Sequence, residues 1–127
     1  SAMGVVEKNP NSILIYPLVL SAKTRILWAS KGGVFSKAAV CPLGESQLYA
    51  KVAQFRTFLT QRSNETQLKV VGKDLYDCLI KPLKSELDAT KGTPNEVRHL
   101  IFVPDRAINY IPISALFDGE QYVIQRY

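Results

Sequence analysis

The chain has 127 residues, 46% of them hydrophobic and 21% charged, with a formal net charge of +5. That size and hydrophobic share fit one compact domain and exclude disorder along the whole chain. The basic residues, among them Lys51, Arg56, Arg62, Lys69, Lys73, Lys81, Lys84 and Lys91, are scattered and not interleaved with stacking aromatics, so no nucleic-acid partner is expected. No apolar run is long enough for a membrane-spanning helix, so no membrane partner is expected either.

Residues 1–12 read as a leader to the domain: Ser1-Ala2-Met3 resembles the scar of a removed tag, and a linker follows. The domain is expected over 13–127. Its first element is the β-prone stretch 13–20, ILIYPLVL. Pro17 cannot donate to a ladder, so this strand is expected at a sheet edge or with a bulge. Residues 25–29 form a second strand. Lys31-Gly32-Gly33 makes a turn, and 34–40 form a third strand. The three read as an antiparallel meander, with Trp28 packed between it and a helix.

Cys41-Pro42-Leu43-Gly44 ends the meander, and Glu45 opens a helix. Leu48, Val52, Phe55 and Leu59 recur at four, three and four residues, one face of an α-helix, which Tyr49, Ala53 and Phe58 broaden. After a polar break at 61–66, Leu68, Val71, Leu75, Cys78 and Leu79 mark a second amphipathic helix. Gly72 falls off that face, and Pro82 is expected to end or kink the helix near Lys81. Leu83 and Leu87 carry the stripe into a short turn, and 88–96 read as a loop. The apolar run 100–103 is a buried strand, either extending the first sheet or standing in a separate parallel one. Pro104-Asp105 stops it, and Asp118-Gly119 signals a hairpin. The expected fold class is α/β (α+β): an antiparallel meander, two to three helices, a core strand and the start of a hairpin.

Candidate chemistry is sparse. Two cysteines, Cys41 and Cys78, are too few for a disulfide scaffold and lie in no CxxC motif, which fits a reducing, cytoplasmic location. Cys78, on the apolar helical face, reads as a buried structural thiol. His99, the one histidine, could in principle pair with either cysteine, but a strand-edge role is the plainer reading. One His and two Cys make no metal-ligand spacing, and Val71-Gly72-Lys73-Asp74 lacks the rest of a phosphate loop, so neither metal nor cofactor is expected. Asp77 and Lys81 suit an i,i+4 surface pair. Asp105 and Arg106 follow the buried strand at its carboxyl end, where α/β sheets place cleft loops; the plainer alternative is Asp105 capping the turn after Pro104.

The segment from Leu100 onward resembles the CHAT domain, a caspase-like module often found beside tetratricopeptide repeats. The resemblance rests on Val103-Pro104-Asp105, on Ile108-Asn109-Tyr110-Ile111-Pro112-Ile113-Ser114-Ala115-Leu116, on Asp118-Gly119-Glu120 and on Tyr122-Val123-Ile124-Gln125-Arg126-Tyr127. Upstream, Leu75-Tyr76-Asp77-Cys78-Leu79-Ile80-Lys81-Pro82-Leu83 resembles the family's Leu-Tyr-x-x-Leu-Ile-x-Pro-Leu helix, and the meander is similar to its opening strands. Arg106 stands where the family often has Gly, and Ile113-Ser114 replaces Phe-Ala. The resemblance implies a cysteine peptidase of the caspase and separase type, whose His-Gly and Ser-Ala-Cys motifs match nothing here. It therefore implies no catalytic residue in this chain, but a non-catalytic N-terminal part with Asp105 and Arg106 as cleft candidates. The alternative is an interaction or scaffold module without peptidase activity. The implied partners are the remainder of the CHAT domain and a tetratricopeptide-repeat region or protein substrate. The strand from Gln121 to Tyr127 offers an edge for self-association.

Overall fold

The computed structural model describes residues 11–30, 37–61, 64–103, 116–121 and 123. The meander consists of β1 (Ser12–Val19), β2 (Thr24–Ser30) and β3 (Lys37–Cys41). Two helices follow, α1 (Glu45–Thr60) and α2 (Glu65–Leu79). A 3-10 turn (Lys81–Leu83) and a short α3 (Lys84–Ala89) lead to β4 (His99–Phe102). The four strands make one mixed sheet in the order β3-β2-β1-β4. The three meander strands pair antiparallel, and β4 joins β1 in parallel, with Ile13 opposite Leu100 and Ile15 opposite Phe102. The apolar run before Pro104 therefore extends the first sheet.

This topology corrects the edge position expected for β1, which lies between β2 and β4. The reason Pro17 is tolerated lies in the length of β4. Its last pair is Phe102 with Ile15, followed by the Val103 N–H donating to the Ile15 carbonyl at 2.9 Å. Pro17 lies beyond that point, where β2 is the one strand beside β1 among the described residues, so a missing donor there interrupts no β1–β4 ladder.

Alternation along the strands sends Ile13, Ile15, Ile26 and Trp28 to the face shared with the helices. There they meet Leu48, Val52 and Phe55 of α1 and Val71, Leu75, Cys78 and Leu79 of α2. Leu83 and Leu87 close the same core from the 3-10 turn and α3. Leu59, expected on the buried stripe, is 37% exposed, and Phe58 packs against the core instead. Leu59 stands in the last turn of α1, one residue before the helix ends at Thr60. On the opposite face of the sheet Leu14 and Ala29 pack with Ile101 and Val103.

Pro82 acts as its chemistry dictates. α2 ends at Leu79, three residues before it, and the chain tightens into the 3-10 turn through the Leu83 N–H donating to the Ile80 carbonyl at 2.8 Å. Losing helical register there also undoes the expected Asp77–Lys81 pair: Asp77 binds Lys73, one turn earlier, at 2.8 Å. At the end of α3, Lys91 and Lys84 flank the partly exposed Asp88 carboxyl at 2.9 and 3.1 Å and hold its pKa below the ordinary carboxylate range.

Two glycines are fixed by close approach. Gly72 is not an outward-facing weak point: it is buried, and a Cβ there would lie 3.2 Å from the Phe55 ring and 3.4 Å from the Phe117 backbone nitrogen. Gly44 precedes α1, whose first N–H, that of Glu45, donates to the Leu20 carbonyl at 2.8 Å. This bond draws the helix start onto the β1–β2 turn. A Cβ on Gly44 would collide with the Ser21 carbonyl oxygen and come within 2.7 Å of its carbon and 2.9 Å of the Ala22 carbonyl carbon. These are backbone atoms with no rotamer to yield. Gly44→Ala is expected to lower stability by about 2 kcal/mol, the usual scale for an overpacked contact, read as a lower urea midpoint at unchanged slope. A midpoint equal to wild type would show that the turn can shift freely.

Near the end of the described residues the Asp118-Gly119 hairpin signal is realised locally. The Asp118 N–H donates to the Gln121 carbonyl at 3.0 Å, and the Val123 N–H to the Leu116 carbonyl at 2.9 Å. The Asp118 carboxylate accepts from the Glu120 and Gln121 N–H groups, both at 2.8 Å, and Gly119 takes a φ of +109°. Of the proposed return strand only Gln121 and Val123 are described.

Candidate functional site

Parallel pairing of β1 and β4 gives the sheet a directional end. The carboxyl ends of both strands point the same way, and a chain leaving β4 after Val103 emerges beside the second half of β1. This is the place where open α/β sheets put their cleft loops. Asp105 and Arg106 belong to the segment that leaves there, and they lie outside the described residues.

The candidate Cys–His chemistry is dispersed by the fold. His99 is an exposed residue opposite Ser12, at the start of β1. Cys41 is opposite Thr24, which pairs with Val19 at the other end of β1. Seven residues along a strand separate the two positions by about 23 Å. The cysteines themselves are not free: Cys41 and Cys78 form a disulfide, with Cα atoms 5.0 Å apart. This overturns the reading of Cys78 as an isolated buried thiol and removes the cysteine argument for a reducing compartment.

The pairing follows from two periodicities that meet. Thr24, Ile26 and Trp28 share a face of β2, and their partners Cys41, Ala39 and Lys37 occupy alternate positions on β3. Cys41 therefore sits at a core-facing register position, while Cys78 lies on the apolar face of α2 with Val71, Leu75 and Leu79. At a sequence separation of 37, no local spacing announces the bond. The available signal is that both cysteines occupy inward positions of layers that stack.

Around the disulfide is a cavity of about 330 Å³ lined by Cys41, Pro42, Leu43, Lys51, Asp74, Asp77 and Cys78. Its polar rim is set by the helices. Lys51 of α1 reaches Asp74 of α2 at 2.7 Å, tying the two helices together, and Lys73 holds Asp77 from within α2. Oδ2 of Asp77 takes that bond; Oδ1 is buried with no hydrogen-bond partner. The Thr24 hydroxyl donates to the Leu43 carbonyl at 2.8 Å and fixes the loop that forms one wall.

A second cavity, of about 440 Å³, lies at the amino end of the β1–β4 pair, between Asn11, Ser12, Ser30, Thr90, Pro94, Asn95 and Val97. Its polar groups are used by the fold. The Asn11 amide donates to the Pro94 and Glu96 carbonyls, each at 3.0 Å, and the Asn11 carbonyl accepts from the Arg98 N–H at 2.7 Å. These bonds clip the loop after α3 to the start of β1 and set the β4 register. Among the described residues no cluster of three or more His, Cys, Asp or Glu is arranged to hold a metal ion, and no helix is long and apolar enough to cross a membrane.

No curated protein matches the chain. Among solved structures, a chain of a PilM-PilN type IV pilus biogenesis complex is similar at 16% identity and a TM-score of 0.32, over 83% of this chain and 33% of that one. This chain thus spans about a third of that neighbour, and a likeness at this level assigns neither fold nor function. The family comparison is narrower than the resemblance seen in the sequence, which reached back to the meander, but it falls on the same motifs. Over residues 69–127, from the first turns of α2 through β4 and the Asp118 turn, the chain matches the CHAT domain family.

Proposed function

We propose that this chain supplies the N-terminal, non-catalytic part of a caspase- and separase-like cysteine peptidase module. The observation that carries the reading is the CHAT match over 69–127. The parallel seating of β4 against β1 supports it, because that arrangement gives a strand whose carboxyl end can border a substrate cleft. The chain's own cysteines support the non-catalytic part of the reading: both are tied in the disulfide, and Cys41 lies at the opposite end of the sheet from His99. Nucleophilic catalysis would come from His-Gly and Ser-Ala-Cys motifs elsewhere in the parent protein. Asp105 and Arg106, leaving β4, contact substrate. A cytoplasmic location belongs to the same proposal and carries a condition: the Cys41–Cys78 bond must be open to reduction there.

The test uses the natural full-length protein and the 127-residue chain side by side. The short chain hydrolyses no peptide substrate; hydrolysis by it would overturn the non-catalytic assignment. In the full-length protein, Asp105→Ala combined with Arg106→Ala changes kcat/KM for peptide cleavage by roughly ten-fold or more, the scale of a lost positioning contact. An unchanged kcat/KM would remove both residues from the cleft. Absence of cleavage by the full-length protein would favour an interaction module instead.

A further inference from the structure

We propose that the Cys41–Cys78 disulfide is a thiol-exchange site, open to low-molecular-weight thiols through the cavity beside it, and that its reduction releases β3 from the helical layer.

Three observations meet at this bond. The first is access. Both half-cystines line the cavity of about 330 Å³, together with Pro42, Leu43, Lys51, Asp74 and Asp77. Yet Cys41 and Cys78 are only 2% and 4% exposed. A small thiol fits a space of that volume, whereas the slight exposure of the two half-cystines hinders the approach of a thiol held on a protein surface.

The second is how little else holds β3. It is an outer strand of five residues whose one strand neighbour among the described residues is β2. Val40 is 56% exposed, Ala38 is exposed, and Ala39 is only partly buried. Cys41 is the one fully buried residue among the described side chains of the strand. The covalent bond to α2 replaces the apolar packing that an outer strand of this composition lacks.

The third is what the bond joins. Cys41 belongs to the meander, outside the family match, and Cys78 to the matched segment 69–127. A chemical change at one bond therefore alters how the opening strands are held against that segment.

The exchange is a two-electron step with a dithiol as reductant. A thiolate of the dithiol attacks one sulfur of the disulfide along the S–S axis. The S–S bond breaks, a mixed disulfide forms, and the other cysteine leaves as a thiolate. The second thiol of the reductant then attacks its own sulfur of the mixed disulfide and expels the remaining cysteine. The two cysteines take up two protons, and the dithiol, having given up two electrons and two protons, becomes a cyclic disulfide. A disulfide oxidant runs the sequence backwards.

The test is made on the folded 127-residue chain with dithiothreitol as the probe. Thiol release is followed by alkylation and intact mass, and backbone opening by amide hydrogen exchange. Before reduction neither cysteine is alkylated. Reduction by dithiothreitol proceeds at a rate that low, non-denaturing urea changes by less than about two-fold, because attack occurs in the native cavity and exposes no new surface. A reduced protein dithiol such as thioredoxin reacts at least about ten-fold more slowly at equal thiol concentration. After reduction, exchange at the β3 amides rises at least about ten-fold and stays insensitive to low urea, the mark of local opening, while the β1 amides paired with β4 change only as far as global stability falls. The double variant Cys41→Ala, Cys78→Ala shows the same pattern if it folds; reduction of the wild-type chain supplies the reading if it does not. Free thiols in the air-equilibrated chain would overturn the proposal. So would a reduction rate rising with urea along the full unfolding slope, or β3 protection unchanged by reduction.

Discussion

Phe55→Ala is expected to cost about 3–5 kcal/mol, the range for emptying a buried phenylalanine site. Phe55 is fully buried at the centre of α1's inward face. Its ring lies against Gly72 of α2, and the Phe117 backbone approaches the same glycine from another side. The site cannot collapse easily. Gly72 has no side chain to move into the void, and the neighbouring α1–α2 contact is pinned by the Lys51–Asp74 bond at 2.7 Å. The loss therefore belongs at the upper end of the range, against a total stability of about 5–15 kcal/mol for a domain of this kind. Urea unfolding should show a much lower midpoint at unchanged slope. Leu59→Ala, one turn further along the same sequence stripe, is the control. Leu59 is 37% exposed, and its truncation should cost less than about 1 kcal/mol. Equal costs at the two positions would mean that the helix is rotated from the orientation described here.

The contrast between those two residues shows what a sequence pattern can carry. Spacing placed Leu48, Val52 and Phe55 on the inward face, because a helix of 3.6 residues per turn must bring them together and the sheet must cover them. The same spacing says nothing about how far the neighbouring layer extends along the helix, and it puts on the inward face a Leu59 that the fold leaves 37% exposed. Pro82 was legible for what it forbids, and α2 does end before it. Pro17 was legible only in part. Its missing donor is a local fact, but the place where that omission does no harm depends on how far β4 runs, and β4 lies more than eighty residues along the chain. The site divides in the same way. The directional end of the sheet became readable only once β4 was seen parallel to β1. The disulfide depends on which strand edge faces which helix turn, a relation between layers that no window of sequence contains. Gly72 points the same way. From the helix alone it is a weak point, whereas in three dimensions Phe55 and Phe117 both approach it closely.

Breaking the Cys41–Cys78 bond, by reduction or by replacing both cysteines with alanine, is expected to lower stability by about 4 kcal/mol. The estimate follows from the chain entropy released when a closed loop of this length becomes free in the unfolded state. The bond spans 37 residues and encloses all of α1 and most of α2, so the unfolded ensemble it restricts is large. The folded state loses less. β3 opens more readily, but the Thr24–Leu43 hydrogen bond still holds the loop behind it. If the effect lies mainly in the unfolded state, the urea midpoint should fall, and the unfolding slope of the reduced chain should rise because its unfolded state is more expanded. A fall in midpoint without a rise in slope would place the effect in the folded state instead, in strain released or packing lost around β3. Phe55→Ala in the reduced background separates these outcomes. If reduction acts only on the unfolded chain, the two losses add to within about 0.5 kcal/mol. If reduction loosens the helical layer itself, Phe55 is already less tightly packed and its truncation costs measurably less. Because the two losses together approach the stability of an ordinary domain, the doubly altered chain should sit near its own unfolding midpoint without denaturant. The oxidised chain carrying the same Phe55→Ala change should remain folded.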